Sequence, residues 1–161
     1  MTNSKQLKDK KVLVINGHPD AESYNAALSA AYVRGLQKSG AHYEQLNLHE
    51  LDFDPNLKYG YRLISELEPD LLKAIAQINS ADHIVWFFPM WWYGYPAMMK
   101  GFVDRIFLTG LFFKYEKGKS FTNKLLKGKT GHIVVTADSV RWYDRWFMKS
   151  PAIQQFKKGT L

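Results

Sequence analysis

The 161 residues contain no cysteine, which excludes a disulfide framework, a thiol nucleophile and a thiolate metal site. Redox chemistry in such a chain needs a bound cofactor. Long apolar runs are missing too. The most apolar stretch, 84–99, falls short of the roughly 20 residues a membrane helix requires and is interrupted by Pro89, Gly94 and Pro96. The amino terminus has neither the apolar segment nor the cleavage site of a secretory signal, so a cytoplasmic protein without membrane insertion is expected. There is no internal repeat and no stretch biased in Pro, Ser or Gln. The five histidines, His18, His42, His49, His83 and His132, form no helical His-x-x-x-His pair, and no metal site is expected.

Apolar residues make up 46% and aromatic residues 15%, enough for one packed domain over 11–161 behind a flexible polar arm at 1–10. The formal charge of +7 raises the question of nucleic acid. Its lysines are scattered among Gly, Phe and Leu over 114–129 and 141–158, on no single helical face and in no nucleic-acid motif. A solvated surface that attracts phosphate-bearing small molecules accounts for them better, and no nucleic-acid partner is expected.

Three apolar runs, each ahead of a turn signal and a helical pattern, read as strands: Lys11–Asn16, 83–88 and 132–136. The first has no polar alternation, as a central parallel strand covered on both faces requires. Residues 42–48 alternate and suit an edge. Helical spacing links Tyr24, Leu28, Ala31, Tyr32, Gly35 and Leu36, with Gly40 as a stop. A second helix starts at Pro69 and turns Leu72, Ile75 and Ile78 inward. A third starts at Pro96 and buries Met99, Val103 and Ile106 before Gly110. Alternating strands and helices predict an α/β doubly wound parallel sheet. The irregular pieces 51–66 and 111–128 are long for connections and suit a cofactor cover or a partner contact.

In such a sheet ligands bind beyond the carboxyl ends of the strands, which selects the loops 17–25, 89–95 and 137–143. The first has neither the three-glycine dinucleotide fingerprint nor a Gly-Lys-Ser/Thr phosphate loop, so a nicotinamide-binding Rossmann domain is disfavoured. It offers His18, Ser23 and Asn25 beside the free amides of a helix start, a seat for a phosphate; a plain helix cap at Ser23 and a turn residue at His18 are the structural alternative. In the second, Trp91, Trp92, Tyr93 and Tyr95 crowd a strand end, where amides can bond a flat heterocycle and rings can pack on it, with Gly94 easing the turn. Ordinary core aromatics are the alternative there.

The segments Gly17-His-Pro, Ser23-Tyr-Asn25, Pro89-Met-Trp-Trp-Tyr-Gly-Tyr-Pro96 and Lys100-Gly-Phe-Val-Asp-Arg105 resemble the flavodoxin-like NAD(P)H dehydrogenase (quinone) family. That family includes the DT-diaphorases, the modulators of drug activity and the ancillary flavoproteins of potassium efflux systems. The resemblance runs over nearly the whole chain from Lys11. It implies a flavodoxin-like sheet of strand order 2-1-3-4-(5) and a noncovalent FAD or FMN. It further implies NAD(P)H as donor, a quinone or similar small acceptor, and a homodimer with the active site at its interface. By matching motif, His18, Ser23, Tyr24 and Asn25 hold the flavin phosphates. Pro89, Met90, Trp91 and Trp92 line the isoalloxazine ring, Thr136, Ala137 and Asp138 meet its pyrimidine edge, and Tyr93 and Tyr95 border the substrate. A hydride passes from NAD(P)H through the flavin to the acceptor in ping-pong order.

Two departures stand out. The loop after the fourth strand, Thr136-Ala-Asp-Ser-Val-Arg-Trp-Tyr143, lacks the Gly-Gly turn of some members, and no histidine follows His132, so a Tyr-His proton relay does not carry over. Tyr143, with Tyr93, remains a candidate catalytic residue as a hydrogen-bond donor. Asp138 opposes negative charge on a reduced ring, and its side chain is expected to point away or to serve only the turn. The family also continues beyond a segment like 156–161 into a fifth strand and a last helix. The domain is therefore expected to be incomplete, with the fourth strand exposed and one sheet face short of cover. Two other readings share these loops: a flavin-binding regulatory subunit of a potassium efflux transporter, and a nonenzymatic electron carrier of the flavodoxin type.

Overall fold

The computed structural model describes residues 10–63, 65–115 and 123–160; the arm expected at 1–10 lies, apart from Lys10, outside them. In chain order the elements are β1 (Lys11–Asn16), α1 (Tyr24–Ser39), β2 (His42–Asn47), α2 (Pro69–Ser80), β3 (His83–Pro89) and α3 (Ala97–Ile106). They continue with β4 (Phe113–Lys114), β5 (Asn123–Lys124), β6 (Thr130–Thr136), α4 (Arg141–Trp146) and α5 (Pro151–Gly159). The main sheet has the order β2-β1-β3-β6 and is parallel throughout, with Val12 opposite both Tyr43 and His83, and His83 opposite Thr130. This is the expected order, β6 serving as the fourth strand.

The central strands are buried along nearly their whole length, because helices cover both faces. On one face Leu13, Ile15, Ile84, Trp86 and Phe88 pack in a single cluster with α2, α3 and α5. On the other, Val12, Val14, Val85 and Phe87 meet Val33 and the half-buried Leu28, Tyr32 and Leu36 of α1. β6 is the outer strand of the sheet among the described residues, and none of its residues is fully buried. The sheet end therefore depends on what lies beside β6 more than its centre does.

Local chemistry sets the helix bounds. The Ser23 hydroxyl accepts from the Ala26 amide and opens α1, and Gly40, at φ 70°, closes it with its amide on Gln37 and Leu36 carbonyls. Pro69 opens α2, where its missing amide proton costs nothing. The ammonium of Lys129 donates to the Asn79 and Ala81 carbonyls at the far end of α2, a cation on the negative pole of a helix. Gly101 is required by a close approach: a Cβ there would lie 2.4 Å from Pro55. The segment before α2 is held by buried Arg105, which reaches the Glu68 carboxylate and the Asp54 and Glu66 carbonyls.

Several inward faces differ from the expectation. Tyr24 is exposed, and polar Asn25 and Ser29 are the buried residues of α1 with Val33. Leu72 is exposed while Leu71, Ala74, Ile75 and Ile78 are buried. The rest of each expected face does turn inward, Leu28, Tyr32 and Leu36 in α1 and Ile75 and Ile78 in α2, with Ala31 and Gly35 exposed, so the phase was right and only the opening position of each helix gives way to its neighbour. Arg141 to Tyr143, placed in a loop by the sequence, begin α4. α5 was not foreseen, and it packs Ala152 and Phe156 onto the sheet.

Candidate functional site

The three loops selected by the sheet rule do converge. β1 ends in buried Asn16, whose Oδ1 accepts from the His18 amide at 3.2 Å. The Asp20 amide donates to His18 Nδ1 at 3.0 Å, so a neutral His18 carries its proton on Nε2. The His18 ring meets the edge of Trp91, with centroids 5.5 Å apart and planes at 77°. Gly17 sits where a Cβ would come within 2.6 Å of the Met99 sulfur, so loop and α3 touch only because the side chain is absent. The first loop thus lies directly against the second.

The third strand end closes the set. The Met90 amide donates to the Thr136 carbonyl at 2.7 Å, and Asn25 Nδ2 donates to Thr136 Oγ1 at 2.5 Å. Asn25 is 1% exposed, yet its Oδ1 has no partner among the described residues. Ser139 in the third loop likewise has a buried hydroxyl without a partner. Buried polar atoms are nearly always satisfied, so two orphans in adjoining loops mark a place that expects a ligand. The first turn of α1 carries no acidic side chain, which leaves its positive pole open to an anion.

The second loop is a tight turn. Trp91 and Gly94 exchange amide-to-carbonyl bonds of 3.0 and 2.9 Å, and the two corner residues are Trp92 (φ 50°) and Tyr93 (φ 61°). This corrects the expectation for Gly94, which does not carry the positive φ; a Cβ there would meet nothing closer than 3.7 Å. Bulky residues at positive φ are strained, and such strain gathers at binding sites. Trp92 is 99% exposed. Trp91 and Tyr93 are also exposed, while Pro89 is buried and Met90 half-buried, so the rings stand at the surface above an apolar base rather than in the core.

Of the expected residues, His18, Asn25, Met90, Trp91 and Thr136 are joined by direct contacts, and Ser23, Pro89, Trp92 and Tyr93 flank them in chain. Tyr24, Ala137 and Asp138 are exposed, with no side-chain partner among the described residues to hold them in the crevice. Tyr143 stacks on Phe147 at 5.7 Å and meets Trp142, both on its own segment. Tyr95 turns inward onto Phe88 and Phe156, and burial pushes its phenol above the usual tyrosine value. Asn16, Met99 and Ser139 were not singled out from sequence as residues of the site, Met99 having been read only as core. Asn16 had a readable signal, a polar residue ending an otherwise apolar strand; Ser139 had none.

The family model described as flavodoxin-like fold matches residues 10–159. A ribosyldihydronicotinamide dehydrogenase-like protein of Penicillium crustosum is 32% identical over 120 residues, covering 62% of this chain and 45% of its own. NAD(P)H dehydrogenase (quinone) 1 of Cavia porcellus is 29% identical over 140 residues, covering 71% and 50%. The chain spans about half the length of these curated relatives. A crystal structure of a Streptococcus mutans protein superposes with a TM-score of 0.75 at 27% identity, covering 94% of this chain and 79% of that one.

Proposed function

This chain belongs to the flavodoxin-like fold family, and from that premise we propose that it is a flavin-dependent NAD(P)H oxidoreductase that reduces quinones or similar small acceptors, acting as a cytoplasmic homodimer. One observation carries the reading: three strand ends converge on an unpartnered Asn25 carbonyl oxygen beside a turn of exposed tryptophans. The names of the relatives support the donor and the acceptor class.

The residues present fit a flavin nucleotide, FMN or FAD. The open amino end of α1, with Ser23, Tyr24 and the Nε2 of His18, would hold the phosphate, while Asn25, whose Nδ2 is spent on Thr136, would offer its Oδ1 to a hydroxyl donor of the same group. Trp91, Trp92 and Tyr93 would pack on the ring system, and the backbone of Thr136, Ala137 and Asp138 would meet its polar edge. When bound, such a group supplies hydride acceptance from NAD(P)H and donation to the acceptor. The protein's share is orientation and exclusion of water; no acid or base of shifted pKa is needed to move the hydride. Tyr93 and Tyr143 supply hydroxyl donors to an acceptor carbonyl. Donor and acceptor use one slot in turn, which gives ping-pong kinetics.

No helix among the described residues is long and apolar enough to cross a membrane.

The test is reconstitution with FMN and with FAD, followed by NADPH–quinone kinetics. Yellow protein with a 1:1 flavin and parallel double-reciprocal lines is the expected result. Asn25→Ala should weaken flavin binding about tenfold, the effect of losing one buried hydrogen bond worth about 1.4 kcal/mol. A folded protein that takes up neither flavin sinks the proposal, and intersecting lines sink the ping-pong order.

A further inference from the structure

The turn after β3 adopts a conformation that something else in the fold must hold. Trp92 at φ 50° and Tyr93 at φ 61° are bulky residues in left-handed geometry, which L side chains avoid. Trp92 is 99% exposed, so its own ring adds no packing to fix the corner. The two bonds between Trp91 and Gly94 close the turn, yet a turn left to itself would favour Asn-Gly at such a corner. The restraint has to come from the residues on either side.

Those residues meet. Phe88 of β3 and Tyr95, directly after Gly94, lie 5.9 Å apart across the base of the loop. Phe156 of α5 completes a triangle, 5.6 Å from Tyr95 and 5.5 Å from Phe88, and all three pairs are edge to face, the arrangement aromatic rings prefer. Phe88 and Phe156 are fully buried, and Tyr95 is half-buried against them. Tyr95 also precedes Pro96, and a residue before proline is biased to extended backbone. α5 approaches the turn itself, for the Gln155 side-chain oxygen would lie 3.8 Å from a Cβ on Gly94.

We propose that Tyr95 is a positioning residue of the crevice: its ring, clamped by Phe88 and Phe156, closes the base of the loop and holds the Trp92–Tyr93 corner in the conformation that presents both rings to a ligand. The hydroxyl has no part in this task, which separates it from the substrate-bordering role expected from sequence. The consequence for binding rests on the flavin reading. The holding of the corner does not, and it is measurable before any cofactor is added.

The experiment digests the purified, folded chain with chymotrypsin, locates the cuts by mass spectrometry, and titrates the same protein with FMN and with FAD. In Tyr95→Ala, cleavage after Trp92 or Tyr93 should rise at least about tenfold relative to cuts elsewhere, because proteolysis reads the population of the opened loop. Flavin affinity should fall about tenfold, as the competent corner becomes a minority conformer. Tyr95→Phe, which keeps the ring, should stay within about twofold of wild type in both readings. Ile78→Ala, a deletion in the core of α2 outside the triangle, controls for general loss of stability and should leave cleavage at the corner unchanged. If Tyr95→Ala does not fold, Tyr95→Leu is read against the same control. A wild-type cleavage pattern in the ring-deleted variant, an equal rise in Ile78→Ala, or failure of Tyr95→Phe to restore the corner overturns the proposal. So does unchanged flavin affinity in a variant whose corner has opened. Wild-type protein that binds neither flavin sinks the flavin reading alone, and the cleavage pattern still decides the clamp.

Discussion

Arg105 is 3% exposed, and its guanidinium is fully engaged by Glu68 at 2.6 and 3.0 Å and by the Asp54 and Glu66 carbonyls. Burial pushes the Glu68 carboxyl up, but the Asp54 amide and this guanidinium outweigh it and hold the carboxyl below its usual range. Deleting one partner of a buried pair costs about 3–5 kcal/mol; since Glu68 keeps some solvent, Arg105→Ala should lose about 3 kcal/mol in urea unfolding. Arg105→Lys should recover only part, because one ammonium cannot span both groups. A loss below about 1 kcal/mol, the scale of a surface pair, would mean the segment before α2 is held by something else. His83 gives a pH prediction. Burial first, then the neighbouring His132 and Lys10, hold its imidazole below the usual histidine value. The folded protein therefore resists a proton that the unfolded chain accepts, so this stabilisation is complete above the unfolded value of about 6.5 and is lost as pH falls through the folded one. The urea midpoint should drop between about pH 7.5 and about pH 5, less steeply in His83→Gln. Neither role was visible in the sequence: Arg105 is part of a motif, but its partners stand 37, 39 and 51 positions away.

The elements were more legible than their faces. Ser23 and Gly40 bound α1, Pro69 opens α2 and the run of 11–16 is a central strand, because caps and continuous apolar runs act locally. The turn after β3 was located by its prolines and aromatics, but its corner falls on Trp92 and Tyr93 rather than on Gly94, since the Trp91–Gly94 hydrogen bonds fix which pair lies between them. Replacing that pair by Asn-Gly, the residues such a corner favours, should relieve strain and raise stability by about 1 kcal/mol, as left-handed geometry costs roughly that much per bulky residue. Flavin binding should fall in the same variant if those rings pack on the cofactor. Thermal melting paired with flavin titration tests both halves; lower stability would show that the rings hold the turn through contacts that outweigh the strain.

Across the whole molecule the surface is uneven. α4 has no buried residue, and Val140, Trp142, Tyr143, Trp146 and Phe147 all lie exposed in one short segment. A contiguous apolar patch of this kind marks an interaction surface, and it follows directly on the third loop of the crevice. This is the support for a homodimer with its sites at the interface. Sedimentation should report a dimer, and Trp142→Glu combined with Trp146→Glu should give a folded monomer with quinone turnover reduced at least about tenfold. Full turnover by that monomer would separate the patch from the site.

The sequence by itself determined the alternation of strands and helices, the three loops at the carboxyl ends and the family, since these rest on periodicity, caps and contiguous motifs. Only the tertiary structure decided that Asn25 reaches Thr136, that His18 meets Trp91 and that Arg105 holds the segment ahead of α2. Those pairings join residues up to 111 positions apart, and no local preference of the chain encodes a contact that exists only once the strands lie side by side.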